Sequence, residues 1–559
     1  MRCLNPLIVG LALVAGAPLH AQPVPAGDPR VAMEPAPLQA HMAYLADDLL
    51  EGREAGTRGD ALTQLYVSSQ FIAAGLRPAG DNGSYLQRFR VRSARLDLPS
   101  VQFRIRSGGG TQHFANGETV LVYADMLEPE QRIEEAELVF AGYGIVAPER
   151  RIDDYRGLDV RGKVVVVMGG PPPFLPSAEG AHYGSADQQR ITAGARGAIG
   201  VIQLWTPALE QRSPFRDQRR RLTRTDLTWI RPDGTPNVLA PSVRLRAVAH
   251  GAATDAILAG GRATMAQLLA EARTGSPRGQ ELPGRVSLTR RSLHDESLRS
   301  ANVAGLLAGS DPALADEVVV LTAHHDHIGI GPPVNGDSIY NGALDNAVGV
   351  SMLIEVARSI AAAPQRPRRS ILFLAVGAEE KGLIGSDFFA AHPTVPREAL
   401  VANINLDGAF PFYDFRDVIA FGAEQSQLGE QLAAAAGEIG LTVAPDPFPE
   451  EGIFTRSDQY SFVKRGVPAV FLYNGFTNLE GRNVGRAVWD DLLARIVHEP
   501  GDDLSQPIDY RLVAKFADIF RRLTLVTANA PARPLWYRDS VFGDRFAPGA
   551  PTAERPPRP

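Results

Sequence analysis

The sequence predicts an α/β protein, a sheet flanked by helices, accompanied by a compact β-rich module. Two patterns carry this reading. After Ser300, strand-like and helix-like segments alternate, and between about Ala136 and Leu282 short β-branched runs are separated by Gly, Pro and Asp turns. A third observation is size: 559 residues with 44% hydrophobic side chains can fill more than one core.

Taken in order, residues 1–21 read as a secretory signal. Arg2 gives a positive start, Leu7 to Val14 is an apolar run too short to span a bilayer, and His20-Ala21-Gln22 resembles a cleavage site. Export to a periplasm or the exterior is therefore expected. A Pro/Ala-rich lead-in follows. Helical patterns lie at 38–50 and 60–74, and alternation with β-branching predicts strands at 88–91 and 101–106. These make the N-terminal part of the main domain, 38–130. The β module is expected over 131–282, with strands at 138–140, 163–168 and 199–204 and a Gly/Pro exit at 279–283. The rest of the main domain, 283–530, carries strands at 302–307, 317–323, 370–376, 401–406, 418–421 and 469–473. Its helices are expected at 346–362, 386–392, 427–439, 458–464 and 510–529. The proline-rich segment 531–559 reads as a disordered tail.

Composition removes several functions. The chain has 57 Lys and Arg against 63 Asp and Glu, a net charge of −6, without the basic excess of a nucleic-acid binder. Its single cysteine, Cys3, excludes an intrachain disulfide and a cysteine-rich zinc module. Signal cleavage would remove Cys3, leaving no thiol in an oxidising compartment. No later stretch is apolar for long enough to cross a membrane. Histidine and carboxylate chemistry stays open.

That chemistry concentrates at strand ends. Ala-His-His-Asp-His, 323–327, follows the apolar run 317–323, and the C-terminal edge of an α/β sheet is where such folds bind ligands. Asp345, in Asn-Gly-Ala-Leu-Asp-Asn, precedes a helix. Glu379 and Glu380 follow the run 370–376, where two adjacent carboxylates call for a cation or a shared proton. Asp407 closes the run 401–406, and a charge beside a buried strand costs energy unless partnered. His498 stands in Val-His-Glu-Pro-Gly-Asp-Asp, before the last helix. Taken singly, these are also a surface histidine cluster, a helix cap and solvated glutamates. Taken together, two histidines and three or four carboxylates are a donor set that suits Zn²⁺. Two such ions would be balanced by Asp345, Glu380, Asp407 and one hydroxide, leaving Glu379 over as a base.

The order and spacing of these motifs resemble the co-catalytic zinc aminopeptidases. That clan also holds glutamate carboxypeptidases, the transferrin receptor and glutaminyl cyclases. The resemblance covers roughly 38–529. It includes Leu-Ala-Asp-Asp-Leu-Leu-Glu-Gly-Arg at 45–53, and Phe-Ala-Gly-Tyr-Gly-Ile from Phe140, which is similar to an inserted protease-associated domain. It implies the zinc exopeptidase fold, a mixed, mostly parallel sheet, with that domain inserted as gate or passive lid. It also implies two Zn²⁺ ions: His324 and Asp407 on one, Glu380 and His498 on the other, and Asp345 between them. Glu379 would be the general base, and Asp326 would orient His324 from behind. His327 fits the motif without a ligand role, and His325 and His182 are expected to be structural.

Leu344 and Val497 depart from the family pattern. Val497 replaces a common tyrosine, so the oxyanion donor is open, with Tyr473 a candidate. Phe454-Thr-Arg-Ser-Asp-Gln resembles a wall of the site, or else a helix start capped by Ser457 or Asp458. The implied activity is removal of N-terminal residues from peptides. The alternative is a dipeptidase or carboxypeptidase, for which Arg456 would meet a substrate carboxylate. A non-enzymatic receptor or a single-zinc cyclase fits the complete motif set less well. The sequence does not fix side-chain preference or oligomeric state.

Overall fold

The computed structural model describes residues 30–223 and 225–557. The signal expected at 1–21 lies outside the described residues. At the centre, strand Val318–His324 pairs in parallel with Ser370–Val376 on one side and Leu400–Leu406 on the other. Ala469–Asn474 continues the parallel set beyond Leu400–Leu406. Arg299–Leu307 adds an antiparallel strand at the Ser370–Val376 side, and Asp417–Phe421 adds another beside Ala469–Asn474. The sheet is mixed and mostly parallel, as the strand–helix alternation predicts. Every residue of the three innermost strands is buried. Both faces are therefore covered, which is why these strands read as mostly apolar runs rather than polar–apolar alternations.

One face carries helices Pro35–Leu45, Val348–Ala361 and Tyr510–Asn529, sharing a core that includes Leu38, Met42, Leu353, Ile354, Phe516 and Ile519. Helix Tyr510–Asn529 buries Leu512, Val513, Phe516, Ile519, Phe520 and Leu523, a 3.6-residue stripe, and Asp509 caps its start by accepting from the Arg511 N–H. On the other face, Phe389 and Phe462 pack helices Ile384–Ala391 and Gln459–Val463 against Val320, Leu372 and Leu374. Each such fully buried apolar side chain contributes about 1.5–3 kcal/mol. Among the described residues, no helix is long and apolar enough to cross a membrane.

The β module is a second sheet with its own core. Glu130–Phe140, Val164–Met168, Gly200–Leu204 and Leu245–Ala249 are successive parallel neighbours. Gln102–Ser107 and Glu130–Phe140 flank the long strand Gln280–Asp295, both antiparallel to it. The two sheets are tied by shared strands. Leu86–Leu96 pairs with Arg299–Leu307 at its start and with the end of Gln280–Asp295 further on.

Three expectations are corrected. The module does not begin at 131 or end at 282. Gln102–Ser107 already belongs to it, and the stretch 279–283, read as an exit, leads into a strand that runs on to Asp295, with Pro283-Gly284 in a register shift between Leu282 and Arg285. A bulge tolerates proline because no ladder N–H is needed there. The 38–50 helix stops at Leu45, and a 3₁₀ segment, Asp48–Arg53, follows. Nor is 531–557 a disordered tail. Trp536, Tyr537, Val541 and Phe542 are buried, the Trp536 Nε1–H donates to the Gly466 carbonyl at 2.9 Å, and a helix forms over Val541–Phe546. Proline content predicts the absence of regular ladders, but these apolar anchors supply the binding that composition does not reveal. Helix Gly485–Arg495 and hairpin Gly329–Val334/Asp337–Tyr340 carry no clear periodicity and went unpredicted.

Candidate metal centre

The three innermost strands end together, in register: His324 opposite Val376, and Ala323 opposite Leu406. This brings His324, the Glu379-Glu380 turn and Asp407 to one edge of the sheet. Asp345 arrives from the turn before helix Val348–Ala361. It does not cap that helix: Ala347 stands at the N-cap with no side-chain capping bond, and the Asp345 carboxylate lies against His324 and His498 instead. His498 arrives from the turn before helix Tyr510–Asn529, with φ +60 and a side chain 47% exposed.

The five side chains expected to hold metal converge. His324 Nε2 lies 3.1 Å from Asp407 Oδ1 and 3.1 Å from Asp345 Oδ1. His498 Nε2 lies 3.1 Å from Asp345 Oδ2 and 3.1 Å from Glu380 Oε2. One carboxylate thus faces two clusters. The electrostatics ask for positive charge. Against the cost of burial, Asp407 and Glu379 hold His324 well above the usual imidazole range. His498 is likewise raised to about 11, burial opposing and Glu380 and Asp345 prevailing. Asp345 is held well below the carboxylate range despite its burial, through His324 and His498. Cations bound here would supply that charge to neutral imidazoles.

His327 joins the site, which the sequence reading did not assign. Its Nδ1 is 2.8 Å from Glu380 Oε1, an ion-pair contact not aligned as a hydrogen bond, and among the described residues its Nε2 has no hydrogen-bond partner. Two triads each bring three donor atoms within 4.8 Å of one another: His324, Asp345, Asp407 and His327, Asp345, Glu380. A buried imidazole nitrogen without a hydrogen bond is costly unless a cation takes it, so the donor set fits divalent metal. The signal was present in the His-His-Asp-His run, but spacing alone does not say which imidazole turns inward.

Asp326 does something other than expected. His324 Nδ1 meets the Asp326 main-chain carbonyl at 3.2 Å, whereas the Asp326 carboxylate is 4.0 Å away. That carboxylate instead accepts the backbone N–H of Glu379 at 3.0 Å and of Glu380 at 3.4 Å. It anchors a turn in which Ala378 is left-handed at φ +59, a conformation that persists only when its surroundings hold it. Burial, with Asp407 and Glu380 adding to it against His324, pushes the Glu379 carboxyl well above its ordinary range.

The segment 454–459 does form a wall. Ser457 Oγ donates to Asp407 Oδ2, and Asn405 Nδ2 donates to Ser457 Oγ at 2.9 Å. Asp458 is fully buried and makes no capping bond to the helix it precedes, so the capping alternative falls. Burial raises its carboxyl to about 7. Tyr473 stacks on Phe410 at 4.9 Å, and its hydroxyl would lie 3.0 Å from a Cβ added to Gly408, beside Asp407. Val497 packs in the apolar cluster around Leu492 and Trp489. His325 is buried on Asp60, Nε2 to Oδ1 at 2.9 Å, and His182 lies in the module against Tyr460, both away from the convergent donors. Two further buried charges, Arg53 and Asp502, border the Asp345 turn and were not singled out from sequence.

Residues 302–524 match Peptidase family M28. Aminopeptidase Y of Saccharomyces cerevisiae is 26% identical over 219 residues, 38% of this chain and 36% of the relative. A probable zinc metalloprotease of Pyricularia oryzae is 38% identical over 271 residues, 42% of this chain and 51% of the relative. The chain spans about half or less of the length of these curated relatives. An aminopeptidase structure from Aneurinibacillus sp. strain AM-1 is 18% identical and aligns over 90% of this chain and 95% of its own, with a TM-score of 0.49.

Proposed function

With residues 302–524 belonging to Peptidase family M28, we propose that the protein is an exported, periplasmic or secreted zinc-dependent aminopeptidase, removing N-terminal residues from peptides. The observation that carries this is the Asp345 carboxylate, one oxygen toward His324 and the other toward His498. Relatives named as aminopeptidases and as a zinc metalloprotease support the same reading.

In this reading His324 and Asp407 would hold one zinc ion and Glu380 and His498 the other, with Asp345 able to serve both. When bound, such a pair lowers the pKa of a water and polarises the scissile carbonyl. Glu379 takes the proton of the attacking water and passes it to the leaving amine. Its raised affinity for a proton suits both halves of that role, and general acid–base help is typically worth about 10²–10⁴ in rate. Asp326 fixes the backbone from which Glu379 projects. The Tyr473 hydroxyl is our candidate for opposing charge on the carbonyl oxygen, a role Val497 cannot fill. We read the β module as a protease-associated domain bordering the site. Its Arg212 lies 3.6 Å from Glu451, which Arg456 also contacts at 3.1 Å.

A carboxypeptidase or dipeptidase is the second reading. It is favoured by Arg456, 54% exposed and held in the field of Arg212, Glu451, Tyr473 and Glu379, where a substrate carboxylate could meet it. Cleavage of free, N-blocked and C-amidated peptides, with zinc content measured in parallel, decides. The aminopeptidase reading expects turnover only of peptides with a free amine. Cleavage of N-blocked peptides that disappears on C-amidation would overturn it.

A further inference from the structure

The turn that presents Asp345 is held from two sides by buried charges of opposite sign. Arg53, 1% exposed, comes from the 3₁₀ segment Asp48–Arg53, far from the metal-bearing motifs in sequence. Its Nη1 donates to the Asn341 carbonyl at 2.5 Å and its Nη2 to the Gly342 carbonyl at 3.0 Å. Its Nε donates to the His325 carbonyl at 3.0 Å, and Nη1 also reaches the Leu45 carbonyl. One planar fork therefore joins the loop carrying His324 and His327 to the turn carrying Asp345.

Asp502, fully buried, takes the other side. Its Oδ1 accepts the Leu344 N–H at 2.8 Å, its Oδ2 the Asp345 N–H at 3.0 Å, and its carbonyl the Ala343 N–H at 3.0 Å. Carbonyls of 341–342 thus go to a cation and the N–H groups of 344 and 345 to an anion, with the Ala343 N–H on the Asp502 main-chain carbonyl. Arg53 also has Asp502, Asp326, Asp345 and Glu380 in its field. Charge-assisted hydrogen bonds of this kind are about twice as strong as neutral ones, and a guanidinium fork fixes direction as well as distance. Neither residue offers an atom to the donor triads.

We propose that Arg53 and Asp502 are a positioning pair that sets Asp345 midway between the two donor clusters and thereby makes the second metal ion bind. The inference rests on the metal reading above. Its logic is geometric: Asp345 can serve both clusters only while its backbone is fixed relative to His324 and to the His498 turn, and these side chains make those two connections. Outer-shell partners of metal ligands typically affect affinity by about 10–100-fold.

The test is titration of the chelator-treated full-length chain with Zn²⁺ by calorimetry, and with Co²⁺ by visible absorption, in wild type, Arg53→Lys, Arg53→Met and Asp502→Asn. Wild type should take two equivalents. Arg53→Met and Asp502→Asn should weaken the second equivalent by about 10–100-fold and change the cobalt spectrum. Arg53→Lys, which restores charge without the fork, should fall between. Circular dichroism of the metal-free proteins checks folding. If Arg53→Met does not fold, Arg53→Lys and Asp502→Asn decide alone. Folded variants with unchanged stoichiometry, affinity and cobalt spectrum would overturn the positioning role while leaving the metal reading intact. A wild type that binds neither ion would overturn both.

Discussion

Nε2 of His498 lies 3.1 Å from Oδ2 of Asp345, while the other oxygen of that carboxylate faces His324. Asp345→Asn removes the charge and one of the two acceptors. We expect at least one zinc equivalent to be lost after dialysis, with kcat/KM down by more than about 100-fold. Metal analysis of the purified variant alongside kinetics checks this, and full retention of two ions would refute the shared-ligand assignment.

Glu379→Gln keeps the size of the side chain but cannot carry a proton. Its metal content should match wild type, while kcat falls by about 10²–10⁴. Near-normal turnover in a metal-replete variant would remove Glu379 from the mechanism.

Asp326→Asn tests what that carboxylate holds. It accepts the N–H groups of Glu379 and Glu380, and an amide nitrogen cannot. The unpaired buried groups should cost about 1–3 kcal/mol of stability. Because Glu379 moves with its backbone, kcat should fall more than KM changes. If the carboxylate instead served chiefly to orient His324, zinc affinity would drop first.

Trp536→Ala tests whether the C-terminal segment is part of the folded core. Trp536 is 3% exposed, and its ring nitrogen is bonded to the Gly466 carbonyl. Loss of the ring should destabilise by about 3–5 kcal/mol, seen in denaturant or thermal unfolding. A variant as stable as wild type would mean that the segment merely lies on the surface.

His182 gives a pH dependence. Burial lowers its imidazole to about 3 from an ordinary value of 6.5, with Arg545 and Lys464 adding to the effect. Below pH 6.5 the unfolded chain takes a proton that the folded chain refuses, so stability present above 6.5 is lost as pH falls toward 3. By pH 5 the loss is about 2 kcal/mol. His182→Gln should flatten that part of the stability–pH curve, and an unchanged slope would assign the loss to other groups.

The central sheet was legible because burial on both faces favours mostly apolar runs, and 318–324, 370–376 and 400–406 are mostly apolar, with Thr322, Asn403 and Asn405 buried among them. The helix at 510–529 was legible from its stripe and the aspartate before it. The module boundary was not, because Gln280–Asp295 serves two sheets at once and only its pairing partners change along its length. The segment after 530 was misread because a few buried aromatics outweigh many prolines.

For the site, the sequence by itself determined the chemistry. It placed His324, Asp345, Glu379, Glu380, Asp407 and His498 at the ends of strands or beside turns, and that residue mix admits few uses besides metal and proton transfer. Only the tertiary structure decided the direction of each side chain. It turned His327 inward, gave the Asp326 carboxylate to a backbone turn, and brought Arg53 and Asp502 to opposite sides of Asp345. The reason is physical: residue type fixes what an atom can bond, but which atom it meets depends on contacts between segments far apart in the chain, and no local pattern encodes those.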